Sequence, residues 1–188
     1  MTAIATPTEL MTPEELLGMP DLGRYDALID GELKERCVSV ESSHTSFELN
    51  GELRTHLKAT GLGWGFQSDC GLQIFAESPT KVRFADGGFY RKERGPRPGH
   101  GHLRFAPDLV IEVVSPGDDA EEVDAKVEDY LGAGVAMVWV AYPLTRHILV
   151  FTANKEAQRL GPDDELTGGD VLPGFSVAVK DVFLPLAE

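Results

Sequence analysis

Residues 107–143 read PDLVIEVVSPGDDAEEVDAKVEDYLGAGVAMVWVAYP, and this stretch decides the fold. Its opening, LVIEVV, has the continuous apolar character of a strand covered on both faces. DDAEEVDAKVEDYLGAG then changes to helical spacing and stops at Gly132 and Gly134. VAMVWVAY is a second buried strand. Strand, helix and apolar strand of these lengths predict a right-handed βαβ crossover with two parallel strands. Two carboxylates, Asp108 and Glu112, interrupt the first strand. An unpaired carboxylate in such a place is costly, so each needs a salt partner, a metal ion or a raised pKa.

Alternation along a strand puts Asp108, Val110 and Glu112 on one face. At about 3.3 Å per residue the two acids stand roughly 13 Å apart. One small cation, with oxygens about 2.0–2.6 Å away, cannot be gripped by both. Asp108, at the strand's start, reads as a turn or cap residue. Glu112 needs a partner from elsewhere, and the following helix offers one. Val123, Val127, Tyr130 and Leu131 form its apolar stripe, and Lys126, its single cation, borders that stripe. Two readings stay open: a structural Glu112–Lys126 bridge, or a lysine beside a metal-binding carboxylate, placed to offset charge on a phosphate. A second carboxylate, Asp86, lies in the predicted strand KVRFADGGFY, where Gly87-Gly88 permits close approach by a ligand or another backbone. An Asp before Gly-Gly also reads as a turn. If this strand neighbours 107–114, Asp86 and Glu112 converge on one cation.

The rest of the chain supplies further elements. MTPEELLGMP predicts a short helix with Thr12 as N-cap, Pro13 first and Glu15 third. RYDALIDGELKERCVSV predicts a hairpin turning at Asp30-Gly31. SSHTSFELNGELRTHLKATGLG carries Phe47, Leu53 and Leu57 on a loose helical stripe, with Gly51 suited to close packing on a sheet. WGFQSDCGLQIFA, RHILVF and DVLPGFSVAVKDVF add strands, and Ser115 is placed to cap the helix of the crossover. The fold class is α/β, a mixed sheet with flanking helices, in one domain over 1–188.

Composition bounds the function. The chain has 188 residues, 42% hydrophobic and 26% charged, ordinary for a globular protein. No apolar run reaches the roughly 20 residues of a membrane span, the N-terminus lacks a secretory pattern, and Cys37 and Cys70 read as free thiols, which together place it in the cytoplasm. A net charge of −14 argues against a general polyanion binder. Charge is segregated, however: Lys81–Arg104 holds seven Lys or Arg against two acids, while 117–130 is crowded with acids around Lys126. RKERGPRPGHGH is either a solvated loop or a basic arm. His100 and His102 in a Gly/Pro loop read as solvated, GLGWG reads as a turn, and no Ser/His/Asp or Cys/His arrangement emerges.

GRYDALIDGEL, the helix start at His44, FAD, the whole of 107–143 and VLPGFSVAVKDVF follow one another across nearly the full chain. In this order they resemble the Uma-type family of bacterial restriction-endonuclease-like proteins, abundant in cyanobacteria, which is similar in fold to the PD-(D/E)XK nuclease superfamily. The resemblance implies a Mg²⁺-dependent phosphodiesterase core, with Mn²⁺ as a substitute. Its first acidic position falls on Glu32, its metal-binding Asp on Asp86 and its (D/E)XK acid on Glu112. Two positions depart from the pattern: Ala85 stands where a Pro is expected, and Val114 where the Lys is expected. The family's pattern points to Lys126 as the substitute, the residue already singled out by its place on the helix.

The combined expectation is a DNA endonuclease. Asp86 and Glu112 hold the metal, Lys126 assists, Glu32 is a more distant acid, and Arg91, Lys92, Arg94 and Arg97 contact the DNA backbone. The rival readings are a catalytically inactive binding or assembly module on the same fold, and a hydrolase of RNA or another phosphodiester. Pairing into a homodimer is left open.

Overall fold

The computed structural model describes residues 10–20, 25–35, 38–68, 70–153 and 157–185. Cys37 lies outside them. Helix α1 (Pro13–Leu17) starts at the Thr12–Glu15 capping box, and it is followed by the hairpin of β1 (Tyr25–Ile29) and β2 (Glu32–Glu35). Asp30 and Gly31 both have positive φ, 51° and 80°, as a tight two-residue hairpin turn requires. Helix α2 (Val40–Thr60) runs from Ser39 as N-cap to Gly61, which takes the left-handed conformation that ends it.

Six short strands and a helix follow: β3 (Gly63–Gln67), β4 (Gly71–Leu72), β5 (Val82–Phe84), β6 (Gly87–Arg91), β7 (Leu109–Val113), α3 (Ala120–Gly132) and β8 (Met137–Tyr142). The chain closes with β9 (His147–Thr152), β10 (Ala157–Leu160), β11 (Glu165–Gly168), β12 (Leu172–Ala178) and a 3₁₀ turn at Val179–Val182. Strands β7 and β8 pair in parallel across α3, the crossover that the sequence pattern predicts. They form the centre of a six-stranded sheet ordered β10-β9-β8-β7-β6-β3. Helix α2 packs on one face, with Leu49, Leu53 and Leu57 against Leu109, Ile111 and Trp139. Helix α3 packs on the other, with Val123, Val127 and Tyr130 against Val110, Val138 and Val140. A four-stranded sheet, β2-β1-β5-β4, carries α1 through a small core of Leu16, Leu28, Val82 and Phe84.

Four local expectations are corrected. KVRFADGGFY is not one strand: it breaks after Phe84, and its halves join different sheets. Phe47 is 73% exposed, and Leu49 takes its place on the buried stripe of α2. Gly51 packs against nothing, since a Cβ there would meet no atom within 4 Å. Asp119, not Ser115, caps α3; the Ser115 hydroxyl instead donates to Ser42 Oγ at 2.8 Å, tying the end of β7 to the start of α2.

Space around the glycines yields opposite expectations. Gly51→Ala fills open space inside a helix and raises unfolding free energy by about 0.5–1 kcal/mol. Gly88→Ala places a Cβ 2.4 Å from the Leu109 carbonyl oxygen and 2.4 Å from the Phe66 ring. It costs about 1–3 kcal/mol, as overpacking does. Urea unfolding midpoints of the two variants should move in opposite directions.

Candidate active site

Asp86 lies where the chain passes from the four-stranded sheet into the six-stranded one. Its backbone carbonyl accepts a hydrogen bond from Asn50 Nδ2 of α2 at 3.0 Å, and the next residue leaves room for that amide. A Cβ on Gly87 would stand 2.2 Å from Asn50 Oδ1. The pairing Gly87↔Ile111, extended by one residue, sets Asp86 across from Glu112. The Asp86 carboxylate confirms that proximity: its Oδ2 accepts the Val113 backbone N–H at 2.8 Å. The side chain thus serves as ladder partner just past the end of β6.

Glu112 projects from β7 towards α3 and is 5% exposed. Lys126 Nζ donates to its Oε2 at 3.2 Å, and the Tyr130 hydroxyl donates to its Oε1 at 2.7 Å. Lys126 and Tyr130 are four residues apart on α3, so one helical face delivers both donors to one carboxylate. Asp86 is 8% exposed and Lys126 8%. Two carboxyl side chains and one lysine thus share a largely dehydrated place. Tyr130 is the site residue that the sequence reading missed. Its ring fits the apolar stripe, and only its spacing from Lys126 hints at a polar task.

Asp108 has a different answer. It is 5% exposed; its Oδ1 accepts from Arg94 Nε at 2.9 Å and its Oδ2 from the Arg91 backbone N–H at 2.8 Å. It therefore anchors the start of the loop between β6 and β7. Much of the basic segment is engaged within the protein. Arg94 holds Asp108, and the Arg91 guanidinium donates to the carbonyls of Asp170 and Val171. Lys81 pairs with Asp129, and Arg83, 2% exposed, donates to Asp129 and Glu122, each at 2.7 Å. Two cations of the basic segment, Lys81 and Arg83, and two acids of the acidic one thus meet where β5 faces α3. Lys92 and Arg97 remain exposed.

The structure brings Asp86, Glu112 and Lys126 together and leaves Glu32 out. Glu32 sits exposed on the edge strand β2, 3.6 Å from Lys34. Pairing of Leu28 with both Leu33 and Val82 puts it level with the start of β5, about 16 Å along the sheet from the Asp86 end. The hairpin turn that fixes Glu32 also turns it away. His102 is engaged with the Pro13 carbonyl and the edge of Phe84, and burial lowers its pKa. Burial pushes the Cys70 thiol up to about 11, so it stays protonated at neutral pH and is no nucleophile. Among the described residues no three His, Cys, Asp or Glu side chains gather as metal ligands.

The sequence profile of the Uma2 family, described as "Putative restriction endonuclease", matches residues 13–180. The chain belongs to the Uma2 family. Among solved structures it is similar to a protein from Anabaena variabilis described as "a putative nuclease belonging to DUF820". The TM-score is 0.76 and the identity 20%, over 92% of this chain and 97% of that one. No curated protein matches. The Uma2 chain therefore has the restriction-endonuclease-like α/β fold expected of it, and no helix among its described residues is long and apolar enough to cross a membrane.

The pairing of Arg94 distinguishes the loop cations by stability. Arg94→Ala removes the ion partner of a buried carboxylate and should cost about 1–3 kcal/mol. Arg97→Ala, on an exposed side chain, should stay within about 0.5 kcal/mol of the parent in the same chemical denaturation.

Proposed function

We propose that this Uma2 chain is a Mg²⁺-dependent endonuclease that hydrolyses DNA phosphodiester bonds at the Asp86–Glu112–Lys126 site. The observation that carries this reading is the Asp86–Val113 hydrogen bond beside the Glu112–Lys126 pair, which joins two carboxylates and one ammonium from three separate elements. The donor set suits Mg²⁺. That ion binds through one or two carboxylates and keeps several waters, whereas Zn²⁺ or Ca²⁺ sites draw on more protein ligands. Asp86 and Glu112 would hold Mg²⁺, and Mn²⁺ could replace it.

When bound, the metal supplies Lewis-acid polarisation of the phosphate and a water of lowered pKa. The protein groups do the rest. Tyr130 and Lys126 fix Glu112 in one orientation, so that its carboxylate is placed before substrate arrives. Lys126 offsets negative charge as the water oxygen bonds to phosphorus and the P–O bond to the leaving strand breaks. Lys92 and Arg97, the arm cations left exposed, would meet the flanking phosphates.

A second reading is a catalytically silent module on the same fold. The specific observation favouring it is that both Glu112 oxygens are already engaged within the protein. Glu112→Gln and Asp86→Asn separate the two. Under the nuclease reading each lowers Mg²⁺-dependent cleavage of plasmid DNA by at least about 100-fold while the fold persists, and calorimetry detects Mg²⁺ or Mn²⁺ on the parent. If the parent binds neither ion and cuts neither DNA nor RNA, while Glu112→Gln loses about 3–5 kcal/mol of stability, the pair is a structural bridge. Cleavage of RNA but not DNA would move the substrate to the other phosphodiester.

A further inference from the structure

Among the edge strands of the two larger sheets, β2, β4, β10 and β3, the last is the least protected. Edge strands are normally blunted by charge, shortness, proline or cover, because an open ladder recruits further strands. Strand β2 carries Glu32, Lys34 and Glu35, and β10 carries Arg159. Strand β4 is two residues long and is bridged by Leu103. By contrast β3, GWGFQ, has neither charge nor proline and pairs with β6 in unbroken register from Gly63 to Gln67. Its outer side meets no strand among the described residues, over about 17 Å. Gly65, at its centre, is exposed, so the backbone there is bare.

The two faces beside this edge differ. A Cβ on Gly65 would stand 3.1 Å from Leu57 Cδ1, so the glycines of β3 lie on the α2 face. Trp64 and Phe66 take the opposite face, where Phe66 joins the core under α3. On the α2 face a cavity of about 420 Å³ lies between the helix and β3. Gly63 and Gly65 leave it free of side chains from the strand, Leu53 and Leu57 give it an apolar lining, and Arg54 and Lys58 are exposed at its rim. Lys92 adds a third cation at the end beside Gly61. No acid among the described residues lines the cavity, on a chain of net charge −14. One face of the edge is therefore aromatic, and the other apolar with a cationic rim.

We propose that β3 accepts an added strand from a protein partner, an extended segment in which acidic and apolar side chains alternate. Successive side chains of a strand point to opposite faces, so alternation matches the two faces of this edge. Apolar side chains at one parity would lie beside Trp64 and Phe66 as cross-strand neighbours. Acids at the other parity would cross Leu57 and bring their carboxylates to Arg54 and Lys58. Backbone hydrogen bonds along the bare edge supply the affinity, and the side chains supply the specificity. A second copy of this chain fits poorly. Antiparallel pairing of β3 across a dyad normal to the sheet would turn Arg54 and Lys58 towards their own images. A nucleic-acid chain would meet the cations but has no peptide N–H or C=O to continue the ladder. This surface does not rest on the nuclease reading.

The test uses the full chain and a labelled, capped peptide of alternating glutamate and valine. Its anisotropy should rise saturably at low salt. Hydrogen exchange should then show new protection at amides within Gly63–Gln67, which adhesion of charges alone does not give. A peptide of the same composition with its glutamates gathered at one end should bind about tenfold less tightly, and one with lysine in place of glutamate more weakly still. Arg54→Glu combined with Lys58→Glu, both at exposed positions, should reverse that preference. The glutamate peptide should lose about tenfold in affinity and the lysine peptide should gain as much. Absence of saturable binding at low salt overturns the proposal, as does equal binding of the grouped or the lysine peptide. Binding that leaves the β3 amides unprotected overturns it on the parent chain alone, whatever the double variant does. Protection that grows with protein concentration without peptide, alongside a dimer in sedimentation, assigns the edge to a second copy instead. Displacement of the peptide by a short oligothymidylate, at a lower concentration than unlabelled peptide requires, assigns the cations to nucleic acid and likewise overturns it.

Discussion

The hydrogen bond from the Val113 amide to the Asp86 carboxylate is the contact on which the rest of the arrangement depends. Strand β6 begins at Gly87, so β7 runs on past the end of its antiparallel partner. A buried backbone N–H at such a place must find an acceptor or lose the free energy of a hydrogen bond. Asp86 supplies that acceptor from its side chain, and in doing so is held beside Glu112. The chain can turn there because Gly87 and Gly88 leave room for Asn50, Phe66 and the Leu109 carbonyl. The break between two sheets and the convergence of two carboxylates are one feature.

Helix α3 then sets the spacing. Through Asp129 and Glu122 it holds Arg83 and Lys81 at β5, a few residues before Asp86. Through Lys126 and Tyr130 it holds Glu112 on β7. One rigid element is thus bonded to the strands on both sides of the site. Its acids are fastenings as well as surface charge: a guanidinium as buried as that of Arg83 is tolerated only with carboxylates against it. The acidity of this segment therefore says little about what the protein binds.

This explains what was legible in the sequence and what was not. The crossover of β7, α3 and β8 was legible because periodicity and length change together there, and the hairpin because Asp30-Gly31 suits a turn with two positive φ values. Glu112 and Lys126 were legible as exceptions, charges where the pattern demanded apolar residues. The split of KVRFADGGFY was not, since its apolar run continues through the point where the sheets divide, and only tertiary pairing shows it. Phe47 misled for a geometric reason: it lies six residues before Leu53, about 240° away around the helix, whereas Leu49 lies four before. Strands β10 and β11 are polar edge pieces with little pattern of their own. Arg94 looked free because its acceptor, Asp108, lies beyond a Pro/Gly-rich loop whose path local sequence does not reveal.

The same physics bears on how a buried Glu–Lys pair is to be understood. If its task were only cohesion, apolar residues of similar volume would serve as well or better, because desolvating two charges offsets most of their attraction. Around Arg83 the arrangement is cohesive: two cations, Lys81 and Arg83, are matched by two carboxylates, Asp129 and Glu122, joining helix to strand. Around Glu112 the donors are of a different kind. Lys126 bonds one carboxylate oxygen, and the neutral Tyr130 hydroxyl holds the other without adding charge. A neutral donor fixes the orientation of a carboxylate without cancelling its charge, which is how outer partners of metal-ligating carboxylates act. Under the proposed nuclease reading, the Tyr130 hydroxyl is therefore the part of the Glu112 arrangement that cohesion alone leaves unexplained.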